Sequence, residues 1–82
     1  VKQEVVWARS VWELFEELAL REQGAILDRL QYLRQFPQMY PVRIKGRRFR
    51  RNRWFQAGEW LVYYRLVDKT IYIRGIWPAR IP

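Results

Sequence analysis

The chain contains no cysteine and no histidine. Without cysteine there is no disulfide to staple a small fold. Without either residue the usual zinc ligand sets are excluded, and so is imidazole acid–base catalysis. A metal would have to be held by carboxylates, and only eight acidic residues exist in 82, so neither a metal nor a cofactor is expected. No apolar run approaches the ~20 residues that a membrane helix requires. No charged segment followed by an apolar one opens the chain, so no signal peptide is expected, and the start at Val1 reads as a trimmed native N-terminus. These absences fit a protein of the reducing cytoplasm without a membrane partner.

Acidic charge is also missing from most of the chain. Residues 1–28 carry three basic and six acidic groups, whereas residues 29–82 carry 13 basic and two acidic groups, a net of +11. No acid occurs between Asp28 and Glu59. A basic half of this kind, rich in arginine, is the electrostatic footprint of a protein that meets a polyanion or an acidic partner.

Half of the residues are hydrophobic and 17% are aromatic, which suffices for one modest core, so residues 1–82 are read as a single domain. Val5–Trp7 reads as a short strand. Ser10 and Glu13 have capping-box spacing at the start of a helix. Val11, Leu14, Phe15 and Leu18 form its apolar stripe. Gly24 interrupts the pattern, so a second helix is expected to start near it, with Ile26, Leu30 and Leu33 inward and Leu27 and Tyr32 widening that face. Pro37 ends it. Phe36 to Pro41 is a connector. Val42 and Ile44 alternate with Arg43 and Lys45 as in a strand, and Gly46 breaks that run. Further strands are expected over Arg50–Phe55, Trp60–Val67 and Thr70–Trp77, joined by turns at Ala57-Gly58 and Asp68-Lys69. In the last strand, alternation places Ile71, Ile73, Gly75 and Trp77 on one face. The fold class is α+β, order β-α-α-β-β-β, an antiparallel meander with a helix pair on one face.

The densest chemical signal is Arg43, Lys45, Arg47, Arg48, Arg50, Arg51 and Arg53, interleaved with Phe49, Trp54 and Phe55. On a strand, Arg51 and Arg53 point to one face about 7 Å apart, a spacing suited to consecutive phosphates of a single strand. Arginine clamps phosphate bidentately and stacks on bases. Each aromatic taken singly reads better as packing than as a stacking platform. Asn52 falls opposite Arg51 and Arg53 and needs hydrogen-bond partners if that face is buried. Arg65 lies on the following strand, and Arg80 follows the last one, where it is expected to converge with Arg51 and Arg53. Glu13, Glu16 and Glu17 read as helix surface, and Glu59 and Asp68 as turn residues.

The helix-pair ending Leu33-Arg34-Gln35-Phe36-Pro37, the basic strand Arg50 to Trp54, the run Gly58 to Arg65 and the closing Ala79-Arg80 together resemble the RelE/ParE superfamily of bacterial type II toxin–antitoxin toxins. The resemblance spans nearly the whole chain. It implies a cytoplasmic toxin masked by an acidic antitoxin encoded by a neighbouring gene. RelE-like members are ribosome-dependent mRNA endonucleases. Their two alternating basic residues match Arg51 and Arg53, and their arginine after the last strand matches Arg80. Those three are the catalytic candidates that the resemblance implies. Arg43, Lys45, Arg47, Arg48, Arg50 and Arg65 are the nucleic-acid-binding candidates, and ribosome and mRNA the partners. The pattern has a further arginine where this chain has Trp60. The reaction would be attack of an RNA 2′-OH on the adjacent phosphate, with arginines stabilising charge. The base would be a tyrosine such as Tyr63 or Tyr64, or a group lent by the ribosome. ParE-like members instead poison DNA gyrase without cutting nucleic acid. A plain RNA-binding module is the third reading.

Overall fold

A computed structural model describes residues 3–38, 40 and 51–79. Six elements follow in the expected order: β1 (Glu4–Trp7), α1 (Arg9–Glu17), α2 (Leu20–Gln35), β2 (Arg53–Ala57), β3 (Trp60–Val67) and β4 (Thr70–Pro78). The expected strand around Val42 and Ile44 lies outside the described residues.

The helices start earlier than the capping signals imply. Ala8 is the N-cap of α1 and offers no side-chain acceptor, so Ser10 lies inside the helix. Glu13 pairs instead with Arg9 at 3.3 Å, an exposed i, i+4 pair of small energetic weight. Leu18 and Ala19 are extended and separate the helices. The Gln23 side-chain amide lies 3.1–3.2 Å from the carbonyls of Phe15, Glu16 and Leu18 and so satisfies the open end of α1. Helix α2 begins at Leu20, where Glu22 Oε1 accepts from the Ala19 amide at 3.2 Å. Gly24 is therefore interior to α2, because the cap formed by Glu22 and the burial of Ile26, Leu30 and Leu33 outweigh the helix cost of one glycine.

The strands form one sheet in the order β1-β4-β3-β2. β2, β3 and β4 are the expected antiparallel meander. β1 joins it parallel to β4, with Val5 opposite Ile71 and Trp7 opposite Ile73, so the sheet is mixed. The cause is the crossover. The helix pair carries the chain back to the end from which β1 started, so β2 runs in the direction of β1. Two reversals later β4 runs that way too.

Val11 and Phe15 of α1 and Ile26, Leu30 and Leu33 of α2 pack with Phe55, Ala57, Val62, Tyr64, Ile71, Ile73 and Ile76 of the sheet. Helix α1 lies against β4, and α2 against β2. Full burial of side chains such as Ile71 and Ile73 stabilises by about 1.5–3 kcal/mol each. A one-residue slip would expose them, which fixes the register. Leu27 and Tyr32 turn outward, because the buried stripe of α2 is narrower than its sequence allows. In β4 the alternation breaks. The register steps from Tyr63–Gly75 to Tyr64–Ile73, and the extra residue, Arg74, shifts the phase. Ile76 consequently joins Ile71 and Ile73 in the core, while Trp77 is exposed.

Candidate nucleic-acid interface

The basic region enters the described fold at Arg51. Its backbone is left-handed, with φ of 70°, and its side chain is exposed. β2 starts two residues later, at Arg53. The strand expected from Arg50 is thus interrupted, because a left-handed residue cannot continue an extended run. Arg51 and Arg53 do not share a strand face by simple alternation. Between them Asn52 is buried, with a relative exposure of 8%.

Arg53 takes a different direction from the one its charge suggests. It is half-buried, directly opposite Tyr64 in β3. Its Nη1 donates to the Tyr40 carbonyl at 2.7 Å and lies 3.4 Å from that of Gln38. Tyr64 donates its hydroxyl to the Pro37 carbonyl at 2.8 Å. The Tyr40 ring packs on Phe55 with centroids 5.2 Å apart, and the Tyr40 hydroxyl lies 3.5 Å from Arg29 Nη1. Two side chains of adjacent strands thus hold the connector that leaves α2. Burial pushes the Tyr64 phenol well above its ordinary value of 10.0, and the neighbouring Arg53 charge opposes that shift without cancelling it. A buried phenol that already donates its proton is a poor general base. Tyr63, on the other face of the sheet, is also buried. Tyr63 is 3% exposed and Tyr64 is fully buried.

Arg65 is exposed and sits next to Tyr72 in register, on the sheet face turned away from the helices. It does not converge with Arg53. Arg43, Lys45, Arg47, Arg48, Arg50 and Arg80 lie outside the described residues. The residue before Arg80 is fixed: the Ala79 amide donates to the Glu59 carbonyl at 2.8 Å. That anchor is at the turn end of β2, four residues or roughly 13 Å along the strand from Arg53.

Trp60 occupies the position where the superfamily pattern has an arginine. Its ring nitrogen donates to Glu22 Oε2 at 2.6 Å, so it ties β3 to the first turn of α2. Among the described residues no group of three or more acidic side chains is placed to hold a metal, and no helix is long and apolar enough to cross a membrane. The carbonyls of Pro37, Gln38 and Tyr40 were invisible to sequence reasoning, which weighs side chains. The one available signal was Tyr40, an aromatic inside a proline-flanked connector.

No protein-family model matches the chain, and no curated protein matches it. Solved structures do. The isolated RelE toxin of E. coli superposes with a TM-score of 0.79 at 10% identity, over 98% of this chain and 87% of that one. The RelBE2 toxin–antitoxin complex of Mycobacterium tuberculosis gives 0.77 at 17% identity, over 95% of this chain and 99% of its counterpart. The archaeal RelE–RelB complex of Pyrococcus horikoshii gives 0.77 at 18% identity, over 96% and 97%. At these identities the likeness establishes architecture, and the chain has the RelE toxin fold across nearly its whole length.

Proposed function

We propose that this protein is the toxin of a type II toxin–antitoxin pair and that it cleaves ribosome-bound mRNA in the cytoplasm. The observation that carries the reading is the RelE fold combined with an exposed Arg51 in a left-handed conformation, close to the end of an arginine-dense stretch of sequence. The 2′-oxygen of one nucleotide forms a bond to the adjacent phosphorus, and the bond to the 5′-oxygen of the next nucleotide breaks. A 2′,3′-cyclic phosphate and a 5′-hydroxyl result. Arg51, with Arg53 and Arg80 as the further candidates, stabilises charge on the phosphorane. Arg43, Lys45, Arg47, Arg48, Arg50 and Arg65 bind the RNA backbone. Arginine stays protonated and both Tyr63 and Tyr64 are buried. The proton of the 2′-OH therefore passes to a group supplied by the ribosome, which also orders the substrate, and the departing 5′-oxygen takes its proton from water.

The partner is an acidic antitoxin from the neighbouring gene. A surface carrying +11 over its last 54 residues binds nucleic acid indiscriminately by counterion release unless it is masked. A disordered acidic segment that folds on binding is an efficient mask. Its association should slow steeply with salt, because steering is screened beyond ~10 Å at 0.1 M. Stopped-flow mixing with the neighbouring gene product across a salt series tests this, and a flat dependence contradicts it.

Trp60 favours a second reading, a non-enzymatic inhibitor of DNA gyrase, since it replaces an arginine of the RelE-like pattern and turns onto Glu22. Induction in bacteria separates the two. An arrest of translation before any DNA-damage response supports mRNA cleavage. DNA damage first, with mRNA intact, supports gyrase.

A further inference from the structure

We infer that Arg65, Tyr72 and Arg74 form a nucleotide subsite on the sheet face turned away from the helices, where the Tyr72 ring stacks on a base of single-stranded RNA and the two guanidiniums hold the phosphates beside it. The inference rests on the nucleic-acid reading above and adds Tyr72 and Arg74 to the residues that carry it.

The register builds the site. Tyr72 in β4 lies between Val6 of β1 and Arg65 of β3. Tyr72 and Val6 stay 37% and 43% exposed, so a ring and an aliphatic side chain lie open next to each other on the sheet. Two residues further along β4, Arg74 is the extra residue of the bulge and has no register partner in β3. β1 ends opposite Ile73, so no strand residue flanks Arg74 on that side either. Bulges re-aim side chains in this way and gather beside working sites. Beyond Arg74 the face closes: Gly75 and its partner Tyr63 are both buried.

Charge and spacing select the ligand. Arg65 and Arg74 are exposed, and among the described residues neither has a hydrogen-bond or ion-pair partner. They are diagonal neighbours across β3 and β4, roughly 7–8 Å apart, a spacing suited to consecutive phosphates of one strand. Among the described strands the one acid is Glu4, opposite Thr70 beside the Asp68-Lys69 turn. An acidic peptide would satisfy the two cations. A base also uses the ring between them, and stacking of this kind is tolerant of sequence, because every base has a π-face.

The full chain is titrated with a fluorescein-labelled 12-nucleotide oligouridine, and with an abasic strand of the same length, across a salt series. Tyr72→Leu should weaken oligouridine binding by about 5- to 150-fold, the range of one base stacked on an aromatic ring. It should leave the abasic strand bound as by wild type, and Tyr72→Phe should bind both as wild type. Arg65→Gln and Arg74→Gln should each lower the slope of log affinity against log salt by about 0.7, the effect of one phosphate ligand on a single strand. Arg21→Gln, exposed on α2, should leave the slope unchanged. A wild-type slope in Arg74→Gln, or wild-type affinity of Tyr72→Leu for oligouridine, overturns the inference. If Arg51→Gln still lowers the slope in that case, the nucleic-acid reading stands without this subsite. Variants that bind RNA as wild type but lose the acidic product of the neighbouring gene would assign the face to that partner and overturn the inference too. A wild-type chain that binds neither strand overturns the reading and the subsite together.

Discussion

Arg53 and Tyr64 face each other across β2 and β3, and both turn to the same short stretch of main chain, Tyr64 to the Pro37 carbonyl at 2.8 Å and Arg53 to the Tyr40 carbonyl at 2.7 Å. A neutral donor and a cationic donor thus share one task beside the core.

The buried phenol gives this pair a pH signature. Burial raises the folded-state pKa of Tyr64 above 10.0, so above pH 10 the unfolded chain loses a proton that the folded chain keeps. Stability from this group is full below pH 10.0 and falls as pH rises beyond it, by up to ~1.4 kcal/mol per unit. Tyr64→Phe should cost about 1–3 kcal/mol at pH 7, because the Pro37 carbonyl loses its donor, and should decline less steeply above pH 10. Urea unfolding of both proteins at pH 7, 9, 10 and 11 checks the sign. Parallel curves would show that Tyr64 does not set the alkaline limit of stability.

Arg51 combines an exposed guanidinium with a backbone that L-residues adopt at a cost of ~1–2 kcal/mol. Strain of this kind gathers at working sites. Arg51→Gly should therefore be more stable than Arg51→Ala by about 1 kcal/mol, since both remove the charge and only glycine relieves the backbone. Both variants should be non-toxic on induction. Thermal unfolding and growth curves measured together check the two halves, and a toxic Arg51→Ala would move the working surface elsewhere.

Gly24 sits inside α2, and a Cβ built there meets nothing within 4 Å. Gly24→Ala should stabilise the fold by about 1 kcal/mol and leave toxicity intact. Chemical denaturation gives the first quantity. A destabilised variant would mean that α2 does not run through this position.

Much of the architecture was readable from residue order. Ile26, Leu30 and Leu33 announce the buried side of α2, and β3 begins and ends where its apolar run does, at Trp60 and Val67. The turns at Gly58 and Asp68, both at positive φ, follow from ordinary turn chemistry. Three features escaped. The parallel pairing of β1 depends on the crossover, a long-range property that no window of sequence contains. The bulge at Arg74 shifts Ile76 inward, and strict alternation cannot anticipate an inserted residue. At the site, arginine spacing spoke of phosphates, yet Arg53 commits a donor to main chain. Backbone carbonyls have no letter in the sequence, so an acceptor such as the Tyr40 carbonyl emerges only once the connector is folded against β2.

The most direct test of the proposed activity is cleavage on ribosomes. Purified protein is added to 70S ribosomes programmed with a short mRNA and carrying an empty decoding site, and mRNA ends are mapped by primer extension. An mRNA endonuclease of this design should cut at the decoding-site codon, leave a 2′,3′-cyclic phosphate and spare free mRNA. Arg51→Ala should lose cleavage while Gly24→Ala cuts as wild type. Intact mRNA on ribosomes, with folded wild-type protein that still arrests growth, would contradict the proposed activity.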